Sequence, residues 1–255
     1  MHQGLSREPA AGPAGAGLGI GTSGWSYPDW QADFYAGVKR ADWLAWYASH
    51  FDAVEINASF YRLQRPDTLR HWYAQTPPAF RFALKANRYL THRKRLLDPT
   101  DPVRIEREHA LALADKLAVV LWQLPASLRR CTSRLDDLLD ALGTWPEVRH
   151  AVEFRHPSWF DAAVLRELRL ANVATCISDA ADWPMWQAVS CDLVYVRLHG
   201  HTRTYASAYH PSALRRWAEW IRDWRTEGRE VHVYFDNDAG GAAVRDARRL
   251  KALVS

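Results

Sequence analysis

The stretch Val152-Glu153-Phe154-Arg155 ends a β-rich run in which apolar and charged residues alternate. The same alternation of apolar and polar residues occurs at 54–57 (VEIN), 196–199 (VRLH) and 233–236 (VYFD). Side chains at positions i and i+2 of a strand share one face. Each stretch therefore predicts a strand with one apolar face that packs under helices and one polar face that points the other way.

Eight such β-rich runs recur along the chain, separated by longer stretches with helical spacing. The runs lie at 19–23, 53–57, 81–85, 119–123, 150–155, 174–179, 193–199 and 230–236. Helices are predicted at 39–49, 65–75, 101–115, 133–142, 159–170, 212–226 and 240–253, and the connection 180–192 is expected to be irregular. Alternating strands and helices imply parallel pairing through right-handed crossovers. Eight units predict an α/β protein with a single (βα)8 TIM-like barrel.

An open doubly wound sheet is the competing architecture. It usually carries a glycine fingerprint after its first strand, and Gly19-Ile20-Gly21-Thr22-Ser23-Gly24 fits G-x-G-x-x-G by spacing. The match is weak because the glycines begin inside the strand. In addition, Trp25, Tyr27 and Pro28 follow at the point where a helix should start.

The composition is that of a globular protein without a membrane span. The 255 residues are 48% hydrophobic and 24% charged, which excludes disorder of the whole chain. No stretch reaches the roughly 18 apolar residues that a membrane span needs, so no membrane partner is expected. The formal net charge is +4, and the chain lacks the long runs of basic residues that are typical of a nucleic-acid-binding arm.

The domain boundary and the cellular compartment follow from local composition. Residues 1–17 are rich in Gly, Ala and Pro and are expected to form a disordered tail, whereas 18–255 form the barrel domain. Three scattered cysteines do not suit a disulfide framework or a paired metal site. Without a targeting signal at the start, a cytoplasmic location is expected.

Charged side chains at the strand ends predict a functional site at one end of the barrel. Active sites of such barrels lie at the carboxyl ends of the strands. The candidate catalytic residues there are Glu55, Glu153, Asp179, His199 and Asp236. The alternative is a set of neutralised ion pairs that merely closes the barrel. Removing charges from water costs several kcal/mol each, which favours a ligand site over a purely structural role.

Aromatic, amide and basic residues around these carboxylates predict a small anionic, sugar-like or nucleotide-like ligand. Such side chains combine stacking with charge. The candidate substrate-binding residues are Trp25, Asn57, Tyr61, Lys85, Gln123, Arg155, His156, Arg197 and Asn237. Lys85, Gln123 and Asp179 are expected to share the inward phase of the other strand ends. The basic run at 88–95 (RYLTHRKR) is either a clamp for phosphate or sulfate or a solvated loop.

Several of these stretches together resemble the YecE-like family, known as domain of unknown function 72. The similar motifs are Gly21 to Tyr27 (GTSGWSY), VEIN at 54–57 with Ser59-Phe60-Tyr61, QLP at 123–125, VEFRHPSW at 152–159, YVRLHG at 195–200 and YFDND at 234–238. The resemblance covers about residues 18–253. It implies a TIM-barrel fold and no particular reaction. The family more often has Asn-Asn after Tyr-Phe, where this chain has Asp236-Asn237.

Three kinds of chemistry remain open from the sequence. In the first, an enzyme of hydrolase or isomerase/lyase type binds its substrate between Glu55 and Glu153, and His199 moves a proton. Lys85, Arg155 and Arg197 then hold an anionic group or lower the pKa values of their neighbours.

The second hypothesis is a metal-dependent isomerase or an endonuclease-like hydrolase that uses the five candidate catalytic residues as ligands. The interleaved Lys85, Arg155 and Arg197 would repel a cation, so no bound metal is expected. The third hypothesis is a non-catalytic nucleic-acid-binding protein that uses the basic run and the aromatic residues that follow the strand ends, among them Trp25, Tyr27, Phe60, Tyr61 and Tyr205. The sequence identifies no cofactor and carries no signal for an oligomeric state.

Overall fold

A computed structural model describes residues 17–255 and contains the eight parallel strands. They are β1 (Leu18–Thr22), β2 (Ala53–Ile56), β3 (Arg81–Lys85), β4 (Leu117–Gln123), β5 (Arg149–Glu153), β6 (Ala174–Asp179), β7 (Leu193–Leu198) and β8 (Glu230–Phe235). Neighbours in the sheet follow the order β1-β8-β7-β6-β5-β4-β3-β2, so the strands form a nearly closed barrel. The predicted α/β TIM-like fold is confirmed, and the open doubly wound alternative is excluded.

Helices fill the connections on the outside of the barrel. They are α1 (Trp43–Ala48), α2 (Ala58–Tyr61), α3 (Pro66–Ala74), α4 (Thr100–Ala110), α5 (Thr132–Gly143), α6 (Ala162–Leu170), α7 (Pro211–Thr226) and α8 (Ala242–Val254). Helix α6 begins later than predicted because Asp161 caps it, accepting a hydrogen bond from the Ala163 amide at 2.7 Å. Helix α4 ends early, where residues 111–116 continue as a 3-10 helix. The connection 180–192 contains no helix, as expected.

The strands divide their side chains between two buried layers, as the period-two pattern predicts. The outer faces pack under the helices and include Val54, Ile56, Val152 and Leu198. The small barrel interior is filled by Ala53, Ala83, Val119, Leu121, Ala151, Ala174, Cys176, Leu193, Tyr195 and Tyr234. These apolar interior side chains form a floor, and the polar strand-end residues lie above it.

The seam between β1 and β2 closes the barrel with little backbone pairing. It consists of a bridge between Ser23 and Glu55, in which the Gly24 amide donates to the Glu55 carbonyl oxygen at 2.7 Å. The strands approach so closely that a Cβ on Gly21 would lie 2.0 Å from the Ala53 carbonyl oxygen. The glycine pattern of β1 therefore serves barrel closure rather than a nucleotide-binding turn.

The predicted disordered tail, residues 1–17, falls almost wholly outside the described residues. Gly17 is the exception, because its carbonyl oxygen accepts a hydrogen bond from the Val231 amide at 2.8 Å. Strand pairing thus starts at the last residue assigned to the tail.

Within residues 17–255, the helices are too short or too polar to cross a membrane.

Substitution of Gly21 tests the close approach at the seam. We expect Gly21→Ala to destabilise the fold by about 1–3 kcal/mol or more, because the added methyl group meets rigid backbone. The matched control is Gly143→Ala at the end of α5, where an added Cβ meets nothing within 4 Å. This change should be neutral or stabilising by about 0.4–1 kcal/mol. Chemical denaturation measures both, and equal effects of the two substitutions would contradict the packing at the seam.

Candidate functional site

Arg197 lies at the centre of the barrel mouth, meaning the end where the carboxyl ends of the strands meet. Its side chain is fully buried. Nε and Nη2 donate to the two carboxylate oxygens of Glu55 at 3.0 and 2.8 Å. Nη1 donates to Glu153 Oε2 at 2.8 Å, and Nη2 also donates to Asp236 Oδ2 at 2.9 Å. Carboxylates from β2, from β5 and from the residue after β8 thus converge on one guanidinium.

Glu55 is completely engaged by protein groups. Besides Arg197, it accepts hydrogen bonds from Ser23 Oγ at 2.5 Å and Tyr195 Oη at 2.7 Å. The side chain has no contact with solvent. We call Ser23, Glu55, Glu153, Tyr195, Arg197 and Asp236 the arginine network. The predicted catalytic role of Glu55 is not supported by this geometry, because neither of its oxygens is free for a substrate.

Glu153 is held in the same way on the opposite side of Arg197. Its Oε1 accepts from Arg155 Nε at 2.7 Å and from Ser178 Oγ at 3.2 Å. Burial alone would raise the pKa of Glu153, but the charges of Arg155 and Arg197 outweigh burial and hold this pKa well below its usual range. Arg197 bridges Glu55 and Glu153, so it occupies the space between the two carboxylates in which a substrate was expected.

His199 and Asp236 form the edge of the network. His199 Nε2 lies 3.4 Å from Arg197 Nη1, so Nε2 is the acceptor and Nδ1 carries the proton. Nδ1 lies 2.9 Å from Asp236 Oδ2. Burial and the Arg197 charge lower the pKa of His199. Burial would raise the pKa of Asp236, but Arg197 and His199 lower it. Near neutral pH the pair is therefore a neutral imidazole beside a carboxylate.

Lys85 lies at the end of β3 and is the strand-end cation without a carboxylate partner. Among residues 17–255, no carboxylate oxygen lies within 4.0 Å of its Nζ atom. The ammonium group sits 4.2 Å from the centre of the Phe60 ring. Burial and the nearby Arg197 charge lower the pKa of Lys85 to about 8. An appreciable fraction of Lys85 is therefore a neutral amine at slightly alkaline pH.

Asp238 follows Asp236 by two residues and has the opposite protonation. The side chain is half-buried, and its Oδ1 atom is enclosed without a hydrogen-bond partner in the described chain. Burial and the negative charge of Asp236 raise the pKa of Asp238 well above its usual range. The carboxyl group is therefore protonated at neutral pH. Two carboxyl groups with pKa values shifted apart are a pattern that defines acid and base roles in enzymes.

Three side chains form a cover over Glu153 and His199. The Arg155 guanidinium carbon lies 4.0 Å from the centre of the Trp183 ring, and Arg155 Nη1 lies 3.4 Å from Tyr205 Oη. The Trp183 and Tyr205 rings contact His199 at centroid distances of 5.0 and 5.6 Å. Tyr205 has a left-handed backbone with φ of 63°, an unfavourable conformation for a residue with a side chain. Such strain clusters at functional sites.

Three predicted binding residues line a separate small cavity beside the mouth. Trp25, Asn57 and Tyr61 surround about 250 Å³ together with Tyr27 and Trp72. The Asn57 Oδ1 atom is buried without a hydrogen-bond partner in the described part of the chain. These residues are near the mouth, as predicted, and Asn57 offers an unused acceptor.

Asp179 does not join the charged cluster. It is one position out of phase, and its carboxylate lies 3.3 Å from His201 Nδ1 instead. Ser178 occupies the inward position of β6 and donates to Glu153. The expectation that Asp179 points inward is therefore wrong.

The remaining predicted residues have local structural contacts. Asn237 Nδ2 donates to the Ser207 carbonyl oxygen at 2.9 Å and to Asp246 Oδ2 at 3.0 Å, away from the arginine network. His156 caps a short helix, because its Nδ1 accepts from the Ser158 amide at 3.1 Å. Gln123 lies at the end of β4 and donates to the next carbonyl oxygen in the chain at 2.6 Å.

Two mouth residues were not singled out from the sequence: Trp183 and Asp238. Tyr27, Phe60, His92 and Tyr205, which also lie at the mouth, were expected only as aromatic residues after the strand ends or as part of the basic run. Asp238 continues the i, i+2 phase of Asp236 beyond the strand end, a signal that was available in the sequence. Trp183 lies in the irregular connection after β6, where no periodic pattern predicts which face a side chain takes.

The carboxylates of the mouth are arranged around arginine rather than around an open ligand sphere. Within residues 17–255, no group of three or more His, Cys, Asp or Glu side chains is placed to hold a metal ion. The guanidinium of Arg197 occupies the position that Glu55, Glu153 and Asp236 share.

The fold and the mouth define an α/β barrel protein whose strand-end charges are organised around a buried arginine. A family model described as "Protein of unknown function DUF72" matches residues 19–255. The chain belongs to this family, which is the resemblance that the sequence motifs indicated.

Relatives and solved structures agree with this assignment. The UPF0759 protein YunF of Bacillus subtilis is 26% identical over 277 aligned residues, covering 92% of this chain and 94% of the relative. The UPF0759 protein YecE of Escherichia coli is 33% identical over 142 residues, 55% of this chain and 49% of the relative. A crystal structure of a DUF72 family protein from Thermotoga maritima has a TM-score of 0.84 and 25% identity, covering 93% of this chain and 99% of that one.

Neutralising Glu55 tests the structural role of the arginine network. We expect Glu55→Gln to destabilise the fold by about 3–5 kcal/mol, because it leaves part of the Arg197 charge uncompensated in the interior. That loss lowers the melting temperature by roughly 10 °C. The control is Glu108→Gln on α4, which removes a charge from an exposed pair with Arg104 and should melt close to wild type. Wild-type melting of Glu55→Gln would contradict the structural role.

Proposed function

We propose that the protein is an enzyme that uses general acid–base chemistry at the barrel mouth on a small anionic, sugar- or nucleotide-like substrate. The observation that carries this proposal is the pair Lys85 and Asp238, whose pKa values are shifted in opposite directions toward their neutral forms. Enzymes tune acids and bases in this way so that protons can be exchanged near neutral pH.

The electrostatics of one side of the mouth support an anionic substrate. His92 packs against Phe60 at a centroid distance of 4.9 Å. Burial, together with the charges of Lys85 and Arg88, lowers the pKa of His92 to about 4. Burial is the largest cause of this lowering, and the additional effect of Lys85 and Arg88 indicates positive potential around the ring. This positive potential favours a substrate that carries a phosphate or carboxylate group.

The proposed proton transfers are balanced between the two residues. The neutral amine of Lys85 accepts a proton from a carbon next to a carbonyl group of the substrate. The C–H electron pair forms a carbon–carbon double bond, and the π electrons of the carbonyl group move onto its oxygen. The carboxylic acid of Asp238 donates its proton to that oxygen. Lys85 becomes an ammonium and Asp238 a carboxylate until the reverse transfers restore them. This sequence is chemistry of the isomerase or lyase type.

The hydrolase alternative, cleavage between two carboxylates, has less support. That mechanism needs room for the substrate between the two groups. Arg197 bridges Glu55 and Glu153 through direct hydrogen bonds to both. Within residues 17–255, neither Lys85 nor Asp238 is part of an ion pair, which makes them the better candidates.

Deuterium exchange tests the proposed chemistry. In deuterated water, we expect the wild-type protein to incorporate deuterium at carbon into at least one of a panel of sugar phosphates and uronic acids, followed by proton NMR. The rate should rise as the pH passes about 8, because Lys85 loses its proton there. Lys85→Met and Asp238→Asn should each lower the rate by about 100-fold or more.

Two exposed residues provide matched controls for these substitutions. Lys39→Met and Asp223→Asn make the same chemical changes at exposed positions and should leave the rate unchanged. Absence of exchange with every member of the panel would count against the proposal. Exchange that persists in both Lys85→Met and Asp238→Asn would remove these two residues from the mechanism.

A further inference from the structure

A second cavity lies outside the arginine network, between the segment after α2, the segment after β3 and the start of α4. Its volume is about 560 Å³, larger than that of the cavity beside Trp25. Such a volume is typical of sites for organic ligands, which span about 300–1,000 Å³. Part of its wall is a π-helical turn at Tyr89–Arg93, a feature that is frequent at functional sites.

Three arginines on the wall of this cavity lack anionic partners. Arg62, Arg88 and Arg93 all line it. In the described chain, none of them has a carboxylate oxygen within 4.0 Å. Lys94, by contrast, is paired with Asp98 at 3.1 Å. Asp101 also lines the cavity but is paired with Arg104 at 3.3 Å, so it does not neutralise these three arginines. Guanidinium groups without a carboxylate partner at a cavity favour an anion, with phosphate as a preferred partner of arginine.

Glu106 adds a buried polar group to the same cavity. Its side chain is 4% exposed, and its Oε2 atom accepts a hydrogen bond from the Asn87 amide at 3.1 Å. Burial raises the pKa of Glu106 to about 7. The group is therefore largely protonated below neutral pH, where it can donate a hydrogen bond to a ligand oxygen.

Apolar and aromatic surface completes the cavity. Leu90, Ile105 and Trp122 line it, and the exposed side chains of Tyr61 and Tyr89 stand at its rim. The cavity is much larger than a phosphate ion, so its apolar part remains for the body of a ligand. A ligand with an anionic group joined to a flat apolar body would match both the arginine-lined part and the apolar part of the cavity.

This cavity is next to the barrel mouth but separate from it. Lys85 does not line it, and Phe60 contacts cations of both regions, with its ring centre 4.2 Å from Lys85 Nζ and 6.0 Å from the Arg88 guanidinium carbon. We propose that the cavity bounded by Arg62, Arg88, Arg93 and Glu106 is a binding site for an organic phosphate with an aromatic body of about nucleoside monophosphate size. This site does not depend on the reaction proposed for the mouth.

Calorimetric titration of the full chain with naphthyl phosphate and with adenosine monophosphate tests this site. We expect at least one of these phosphate esters to bind. Naphthol has only the aromatic body and inorganic phosphate only the anionic group, so each should bind at least about tenfold more weakly. The double substitution Arg88→Gln/Arg93→Gln should weaken binding of the phosphate ester by about tenfold or more. Arg166→Gln on α6, which removes an exposed arginine elsewhere, should not change it.

Lys85→Met locates the ligand relative to the mouth. Because Lys85 does not line the cavity, this variant should bind the phosphate ester with wild-type affinity. Loss of binding in Lys85→Met would place the ligand in the mouth and overturn the proposal. Equal binding by wild type and by the double arginine variant would overturn it as well, and so would failure of both phosphate esters to bind wild type.

Discussion

A guanidinium group without access to water is the constraint on which the barrel mouth depends. Burial of one ion costs several kcal/mol unless its donors are satisfied with good geometry. To satisfy the donors of Arg197, carboxylates from three separate parts of the barrel must lie at the same height along the barrel axis. Arg197 also contacts Ser23, which lies with Glu55 at the weakly paired seam. The network therefore helps to close the barrel where the backbone ladder is shortest.

Charge balance explains the unusual protonation states around this network. Glu55, Glu153 and Asp236 supply three negative charges, which Arg197, Arg155 and Lys85 offset with three positive ones. A further charge in the same enclosed volume would be uncompensated. His199 and Asp238 accordingly have pKa values shifted toward their neutral forms. The groups that build the mouth thus also set the protonation of the groups available for chemistry.

The sequence predicts the fold well because strand phase is periodic. Eight runs and their alternation identify the strands, their inner and outer faces and the collection of charge at one end. The choice of hydrogen-bond partners does not follow the strand period. The pattern therefore does not distinguish a catalytic carboxylate from Glu55, whose oxygens accept hydrogen bonds from Arg197 and Tyr195. The inward or outward direction of a side chain is harder to predict at the end of a strand, and Asp179 lies one position out of the expected phase. The position of Trp183 is set by an irregular connection, for which the sequence has no periodic pattern.

The division of the mouth residues into structural and reactive groups depends on one difference. Asp236 is a carboxylate at neutral pH, whereas Asp238 is a carboxylic acid. NMR titration of isotope-labelled aspartate carboxyl carbons measures it directly, with Asp236→Asn and Asp238→Asn used to assign the two signals. We predict that the Asp238 signal remains that of a carboxylic acid at neutral pH while the Asp236 signal is that of a carboxylate. An Asp238 signal that titrates near the ordinary aspartate pKa of about 4 would contradict the account.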